Sequence, residues 1–154
     1  MMRFIGPTIT LLSLALACGC GRPHDHAAEP GHAHTHQHAA PHGGMLVEVG
    51  DHRFNVELVH DAGTGTLTLY TLDAHAENFV RTAMPVIELS LTAGSQTHTL
   101  SLLPVANPAT GETVGATSQY QAEAAWLKGA TGLTGTITRL DFNGAEFIQI
   151  PFGQ

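Results

Sequence analysis

Seven of the eleven histidines in this 154-residue chain fall within one short segment near its start. They are His24, His26, His32, His34, His36, His38 and His42. Four of these, from His32 to His38, alternate with single intervening residues. Because alternate residues of an extended chain point to the same side, these four imidazoles can face one ion. Neutral imidazole suits Zn(II), Cu(II) and Ni(II), so the run predicts binding of a divalent transition metal.

The selectivity of such a run is expected to be low. An ordinary histidine is largely neutral at pH 7 and therefore available as a ligand. A flexible segment can wrap around an ion, but it does not impose one coordination geometry. Affinity should then follow the Irving–Williams order, with Cu(II) bound most tightly. The alternative interpretation is compositional drift, in which the histidines have no selected role.

A second metal site is conceivable inside the rest of the chain. It would use Glu57, His60, Asp73 and His75. His60 ends one predicted strand, and Asp73-Ala74-His75 ends the next, so a hairpin is expected to bring them to nearby sheet ends. The alternative is that these are ordinary polar residues at strand ends, as His52 and His98 are expected to be solvated surface residues.

The first twenty residues indicate export. Arg3 precedes an apolar stretch, residues 9–17, which is followed by Cys18-Gly19-Cys20. A charged start, a short apolar core and small residues are typical of a secretory signal. The sequence Leu-Ala-Leu-Ala-Cys resembles the lipobox of bacterial lipoproteins, which implies acylation of Cys18 or Cys20. The alternative is an ordinary cleaved signal with two incidental cysteines.

Composition narrows the function further. Both cysteines of the chain lie at this junction, so the remainder cannot form a disulfide or a thiolate metal site. The formal net charge is −7, which argues against a nucleic-acid partner. The sequence contains no His-Glu-x-x-His, nucleophile-elbow or phosphate-loop motif. We therefore expect a protein that is not an enzyme.

The segments that must position any site divide the chain in three. We expect a signal peptide at 1–17, a lipid-anchored disordered tether at 18–41 and a β-domain at 42–154. The tether contains mainly Ala, Pro, Gly and His, which bury too little apolar surface to offset the entropy of ordering.

Short alternating segments beyond the tether predict an all-β domain. They cover residues 45–49, 53–60, 66–70, 85–92, 97–103, 134–140 and 145–151, with 117–123 as a further candidate. Their regular spacing predicts a small antiparallel β-sandwich, Ig-like, of about seven strands. Asn143-Gly144 is a strong hairpin-turn signal. Residues 121–129 contain helix formers before a glycine, so helix and strand both remain open there.

The start of this domain carries a family resemblance. Pro41-His42-Gly43-Gly44, a short strand and then Val56-Glu57-Leu58-Val59 follow the histidine-rich leader. This arrangement resembles the N-terminal segment of periplasmic adaptor (membrane-fusion) subunits of heavy-metal efflux systems, and small exported histidine-rich lipoproteins. The resemblance covers only this segment. It implies a metal-handling role in the envelope, with His42 and Glu57 matching the motif.

These observations together predict an exported lipoprotein that binds Cu, Zn or Ni for buffering, resistance or handover. The expected location is the cell envelope, facing the periplasm, and Gly19 after Cys18 favours the outer membrane. The expected partners are the membrane, through the N-terminal lipid, and an envelope metal-transport protein. The alternative is a non-enzymatic β-sandwich that binds another envelope protein, with incidental histidines.

Overall fold

The computed structural model describes residues 38–153. The predictions for the signal peptide, Cys18, Cys20 and the histidines from His24 to His36 lie outside the described residues. Within the described part of the chain, no helix has the length and apolar character needed to cross a membrane.

Eight β-strands and one short 3-10 turn make up the regular structure of residues 38–153. They are β1 (Met45–Val49), β2 (Phe54–Asp61), β3 (Thr66–Asp73), β4 (Ile87–Ala93), β5 (Gln96–Pro104), β6 (Gln119–Glu123), the 3-10 turn (Ala125–Leu127), β7 (Thr134–Phe142) and β8 (Ala145–Phe152). The all-β prediction is therefore confirmed. Within the further candidate segment 117–123, residues 119–123 form strand β6, which brings the count to eight, close to the predicted number of about seven.

The strands form one antiparallel sheet in the order β1-β2-β3-β6-β5-β4-β7-β8. The sheet curves until it is nearly closed, because its first and last strands approach each other. Gly50 marks this approach, since an added Cβ there would lie 2.2 Å from the ring of Phe147 on β8. The result is a small sandwich-like or barrel-like domain with one apolar interior.

Alternation of apolar and polar residues explains most of the strands. On β4, Ile87, Leu89 and Leu91 are fully buried, while the residues between them are exposed. Successive side chains of a strand point to opposite faces, so this pattern gives one core face and one solvent face. The core collects the inward residues of every strand, with Tyr120 of β6 fully buried among them.

Strand β2 departs from that alternation. Four consecutive residues, Asn55 to Leu58, are buried. Val56 and Leu58 belong to the apolar core, whereas Asn55 and Glu57 point to the opposite face and are buried there. Something other than the sheet must therefore cover the outer face of β2.

Two hairpin turns differ in how strongly the sequence predicts them. Asn143 and Gly144 join β7 to β8 with φ of 56° and 97°, as the Asn-Gly signal predicts. Asp51 and His52 join β1 to β2 with φ of 51° and 62°, although Asp-His is a poor sequence signal for such a turn.

The ambiguous segment 121–129 divides into both alternatives. β6 continues to Glu123, and a single 3-10 turn follows at Ala125–Leu127. Leu127 is fully buried, so this turn closes part of the interior rather than lying on the surface.

The buried alternation predicts a large effect of truncation at the centre of β4. We expect Leu89→Ala to lower the free energy of unfolding by about 2–5 kcal/mol, because it removes buried methyl groups and leaves a cavity. Chemical denaturation measures the change. Leu103→Ala is the matched control, since Leu103 is 60% exposed, and it should cost far less. Equal losses for the two variants would contradict the described core.

Candidate functional site

The Pro-His-Gly-Gly segment forms a tight turn that leads into β1. The N–H of Gly43 donates to the carbonyl oxygen of Ala40 at 3.1 Å, with Pro41 and His42 between them. Gly43 has φ of +72°, and Gly44 lies so close to β2 that a Cβ would be 2.5 Å from the Leu58 carbonyl oxygen. Glycine at both positions lets the chain pass directly over β2.

A buried carboxylate beneath this turn holds it in place. Glu57 is completely inaccessible to solvent. Its Oε1 accepts hydrogen bonds from the backbone N–H groups of His42 and Gly44, both at 2.8 Å, and its Oε2 lies 2.8 Å from His42 Nδ1. A buried charge is tolerated when it is paired and hydrogen-bonded. The turn supplies the partners and at the same time covers the outer face of β2.

The imidazole of His42 is fixed by this contact and by stacking. Its ring lies flat on Tyr70 with a centroid distance of 3.9 Å and an angle of 13°, and Phe79 lies 5.8 Å away. The side chain remains 36% exposed. Within residues 38–153, Nε2 has no hydrogen-bond partner. A histidine oriented by a carboxylate through one ring nitrogen, with the other nitrogen available, is the usual arrangement of a metal ligand.

A pocket of about 360 Å³ borders the exposed edge of His42. Besides the His42, Tyr70 and Phe79 rings, its wall includes Arg81 and Glu112. Glu112 is almost buried and accepts hydrogen bonds from the backbone N–H and hydroxyl of Ser118. Arg81 Nε lies 3.6 Å from Glu112 Oε1, and Arg81 Nη2 donates to the carbonyl oxygen of Thr110. The pocket therefore carries a balanced pair of charges beside the imidazole.

The electrostatics of the site show at Tyr70. Burial raises the pKa of the Tyr70 hydroxyl above its ordinary value of 10.0, and the neighbouring Glu57 carboxylate raises it further. Both effects disfavour a second negative charge beside Glu57. Tyr70 therefore stays neutral at physiological pH and serves as a stacking surface for His42.

The second metal site predicted from Glu57, His60, Asp73 and His75 is not formed. In the β2–β3 hairpin, His60 is paired with Leu67, while Asp73 is paired with Phe54 at the other end of the ladder. The C-terminal ends of two antiparallel strands lie at opposite ends of their ladder, so the C-terminal end of β2 does not meet that of β3.

Each member of that predicted group has a different role. Glu57 binds the turn at His42, and His60 Nε2 lies 2.9 Å from the carbonyl oxygen of Leu127. Asp73 Oδ2 accepts from the Asn78 side chain, and its Oδ1 accepts from backbone N–H groups that include that of His75. The hydrogen bond from Asn78 is the main reason that the pKa of Asp73 is lowered.

His38, the last residue of the alternating series, is within the described residues. Its ring lies against that of His75, with a centroid distance of 5.6 Å and an interplanar angle of 71°. Of the seven predicted run ligands, only His38 and His42 fall in the described range. Within residues 38–153, no three or more His, Cys, Asp or Glu side chains are grouped so as to hold a metal ion.

Sequence reasoning identified His42 and Glu57 but missed the pocket around them. Tyr70, Phe79, Arg81 and Glu112 come from three separate parts of the chain, and no local motif connects them. Glu57 gave no signal of its own, because it occupies a polar position of the alternating strand β2, where an exposed carboxylate is the usual expectation. Comparisons with known proteins add no further guide, because no protein-family model, curated protein or solved structure matches this chain significantly.

The chain's two tyrosines allow a direct test of the buried carboxylate. Burial also raises the pKa of Tyr120, so both tyrosines should ionise above 10.0 in the folded protein. We expect Glu57→Gln to lower the pKa of Tyr70 and leave that of Tyr120 unchanged. Absorbance titration in the presence of a chelator measures both values, and Glu88→Gln, on the exposed face of β4, is the matched control.

The same shifts set the pH dependence of stability. The unfolded chain ionises its tyrosines first, so it binds fewer protons than the folded chain above 10.0. The contribution of the two tyrosines to the free energy of unfolding should therefore be constant below pH 10. It should fall as the pH rises through their raised pKa values. A Tyr70 pKa that does not respond to Glu57→Gln would contradict the described contact.

Proposed function

We propose that this protein is an exported lipoprotein that binds a divalent transition metal, Cu, Zn or Ni, through its histidine-rich segment. The observation that supports this best is the His42 imidazole, which the buried Glu57 carboxylate orients at the point where the histidine run joins the folded domain. The proposed role is buffering, resistance or handover of metal at the cell envelope.

The chemistry of His42 favours a ligand over an ordinary surface histidine. Because the Glu57 carboxylate accepts from Nδ1–H, it selects the tautomer in which Nε2 carries a lone pair. Stacking on Tyr70 restricts the ring to one orientation. A ligand held in advance loses little entropy when it binds an ion. His42 is therefore a fixed metal ligand, and the other histidines of the run can complete the coordination of the ion.

The position of His42 in the chain supports the same proposal. It lies four residues after His38 and ten after His32, so the alternating series ends within a short span of the oriented imidazole. The effective concentration of a ligand tethered by so few residues is about millimolar or higher. An ion bound by His42 would thus encounter further imidazoles without a second diffusional event.

Metal titration tests the proposal. We expect the full chain to bind Cu(II) and Zn(II) more tightly than micromolar, and a variant lacking residues 22–40 to lose most of that binding. Isothermal titration against a competing chelator measures both. Equal binding by the two proteins would exclude the run as the site, and the absence of binding above background would overturn the metal function.

The carboxylate contact gives a sharper variant of that titration. Glu57→Gln keeps the side-chain shape but removes the negative charge and leaves one acceptor oxygen. When the N–H groups of His42 and Gly44 bind that oxygen, His42 Nδ1 faces an amide NH2 group instead of an acceptor. We expect the affinity of the His42-dependent site to fall about 10-fold to 100-fold, as for other partners of metal-binding histidines. Glu88→Gln removes the same charge from an exposed position and should leave the affinity unchanged.

The proposed anchor requires acylation of one cysteine. We expect mass spectrometry of the exported protein to find a lipid on Cys18 or Cys20, and substitution of that cysteine by Ser to release the protein from the membrane fraction. Recovery of unmodified, fully soluble protein from the unsubstituted chain would contradict the anchor but leave metal binding in place.

A further inference from the structure

The end of the histidine run lies against a histidine of the folded domain. His38 and His75 are in edge-to-face contact, with ring centroids 5.6 Å apart. His75 follows β3, and its side chain is exposed. No hydrogen bond within residues 38–153 holds either ring. Two imidazoles at this separation are suited to a shared ligand.

The distance between the two rings matches that of two imidazoles bound to one metal ion. An ion about 2.0–2.1 Å from one nitrogen of each ring holds the two ring centres about 5–6 Å apart. The backbone therefore needs little movement for both rings to reach one ion. We propose that His38 and His75 together bind one divalent transition-metal ion, and that this ion fastens the histidine run to the domain. This inference rests on the proposed function, because it names the place where the run and the fold share a metal.

His75 is held in position by its surroundings. Asp73 Oδ1 accepts hydrogen bonds from the N–H groups of His75, at 3.2 Å, and Glu77, at 3.0 Å. The next residue, Ala76, is buried and donates to the Asp73 carbonyl oxygen at 3.1 Å. Asp73 thus fixes the backbone on either side of His75, and its carboxylate is occupied by these donors and by Asn78. The backbone position of His75 is therefore fixed, which sets where its ring can reach.

The contacts between His42 and Glu57 bring His38 close to His75. Only three residues separate His38 from His42, whose backbone and ring both bind Glu57. The Ala40–Gly43 turn fixes the direction of the intervening chain. The same buried carboxylate that orients His42 therefore sets where His38 meets the domain. The other coordination positions remain open to water or to other imidazoles.

This arrangement has a consequence that a free chelating run lacks. A run that binds metal by itself binds equally well when the domain is unfolded, so it does not change the stability of the fold. A site that includes His75 exists only in the folded chain, and metal then stabilises the folded state in proportion to its binding. Because His42 is also oriented only in the folded chain, the part of the metal-induced rise in the midpoint of thermal unfolding, Tm, that His75→Ala removes distinguishes the two cases.

The experiment measures Tm of the full chain with and without Zn(II), beside a separate Zn(II) titration. At about 100 times the dissociation constant, we expect Zn(II) to raise Tm by roughly 5–10 °C. His75→Ala and His38→Ala should each remove at least half of that rise. His98→Ala is the control, because His98 belongs to the domain and stacks on Trp126 at 4.2 Å, and it should leave the rise unchanged.

The outcomes separate this inference from the proposed function. If Zn(II) binds but Tm does not rise, or if the rise persists in His75→Ala, the shared site is wrong and chelation by the run still stands. If no Zn(II) binds, both fail. His75 is exposed, so its removal should not unfold the protein; equal Tm values of the metal-free variants check this.

A paramagnetic ion gives an independent readout. Cu(II) added below stoichiometry should broaden the backbone amide signals of residues 74–78 in the full chain. That broadening should disappear in His75→Ala and persist in His98→Ala. Broadening of these signals that His75→Ala leaves intact would overturn the assignment of His75.

Discussion

The buried carboxylate of Glu57 is the interaction on which the described site depends. An ionised carboxylate out of reach of water is destabilised by several kcal/mol unless donors replace its hydration. Here two backbone N–H groups and one imidazole nitrogen do so, each at 2.8 Å. All three donors come from His42 and Gly44. The segment before β1 therefore cannot leave the sheet without exposing or orphaning this charge.

The need to pair buried polar groups extends along the outer face of β2. Asn55, buried two residues before Glu57, donates to the carbonyl oxygens of Asp73 and Ala74. Beyond β3, the chain turns back, and Thr71 is hydrogen-bonded to Val80 in both directions. This return brings Phe79 and Arg81 beside His42. A polar strip on one strand is thus covered by two segments without regular structure, and the pocket lies where they meet.

This construction changes what a histidine-rich segment can do. Imidazoles on a flexible chain bind metal with little geometric preference, because no coordination number is imposed. Imidazoles held by a fold offer fixed positions, as His42 does on Tyr70. If run and domain bind metal together, as proposed, the domain provides a small number of fixed ligands and the run provides further imidazoles. Their combination would favour capture first and retention at the domain second.

The sequence by itself determined the features that depend on neighbours along the chain. Alternation predicted the all-β class and nearly every strand, and Asn143-Gly144 predicted the last hairpin, because side-chain direction and turn geometry are local properties. The same local reasoning could not give strand register or sheet order. It therefore placed His60 with His75, although antiparallel pairing carries them to opposite ends of one hairpin. The Pro-His-Gly-Gly and Val-Glu-Leu-Val segments also contained His42 and Glu57, but nothing in the sequence indicated a reason for the two residues to interact. Only the tertiary structure showed why they occur together: a strand buried on both faces needs a partner for its carboxylate, and that partner comes from fifteen residues earlier in the chain.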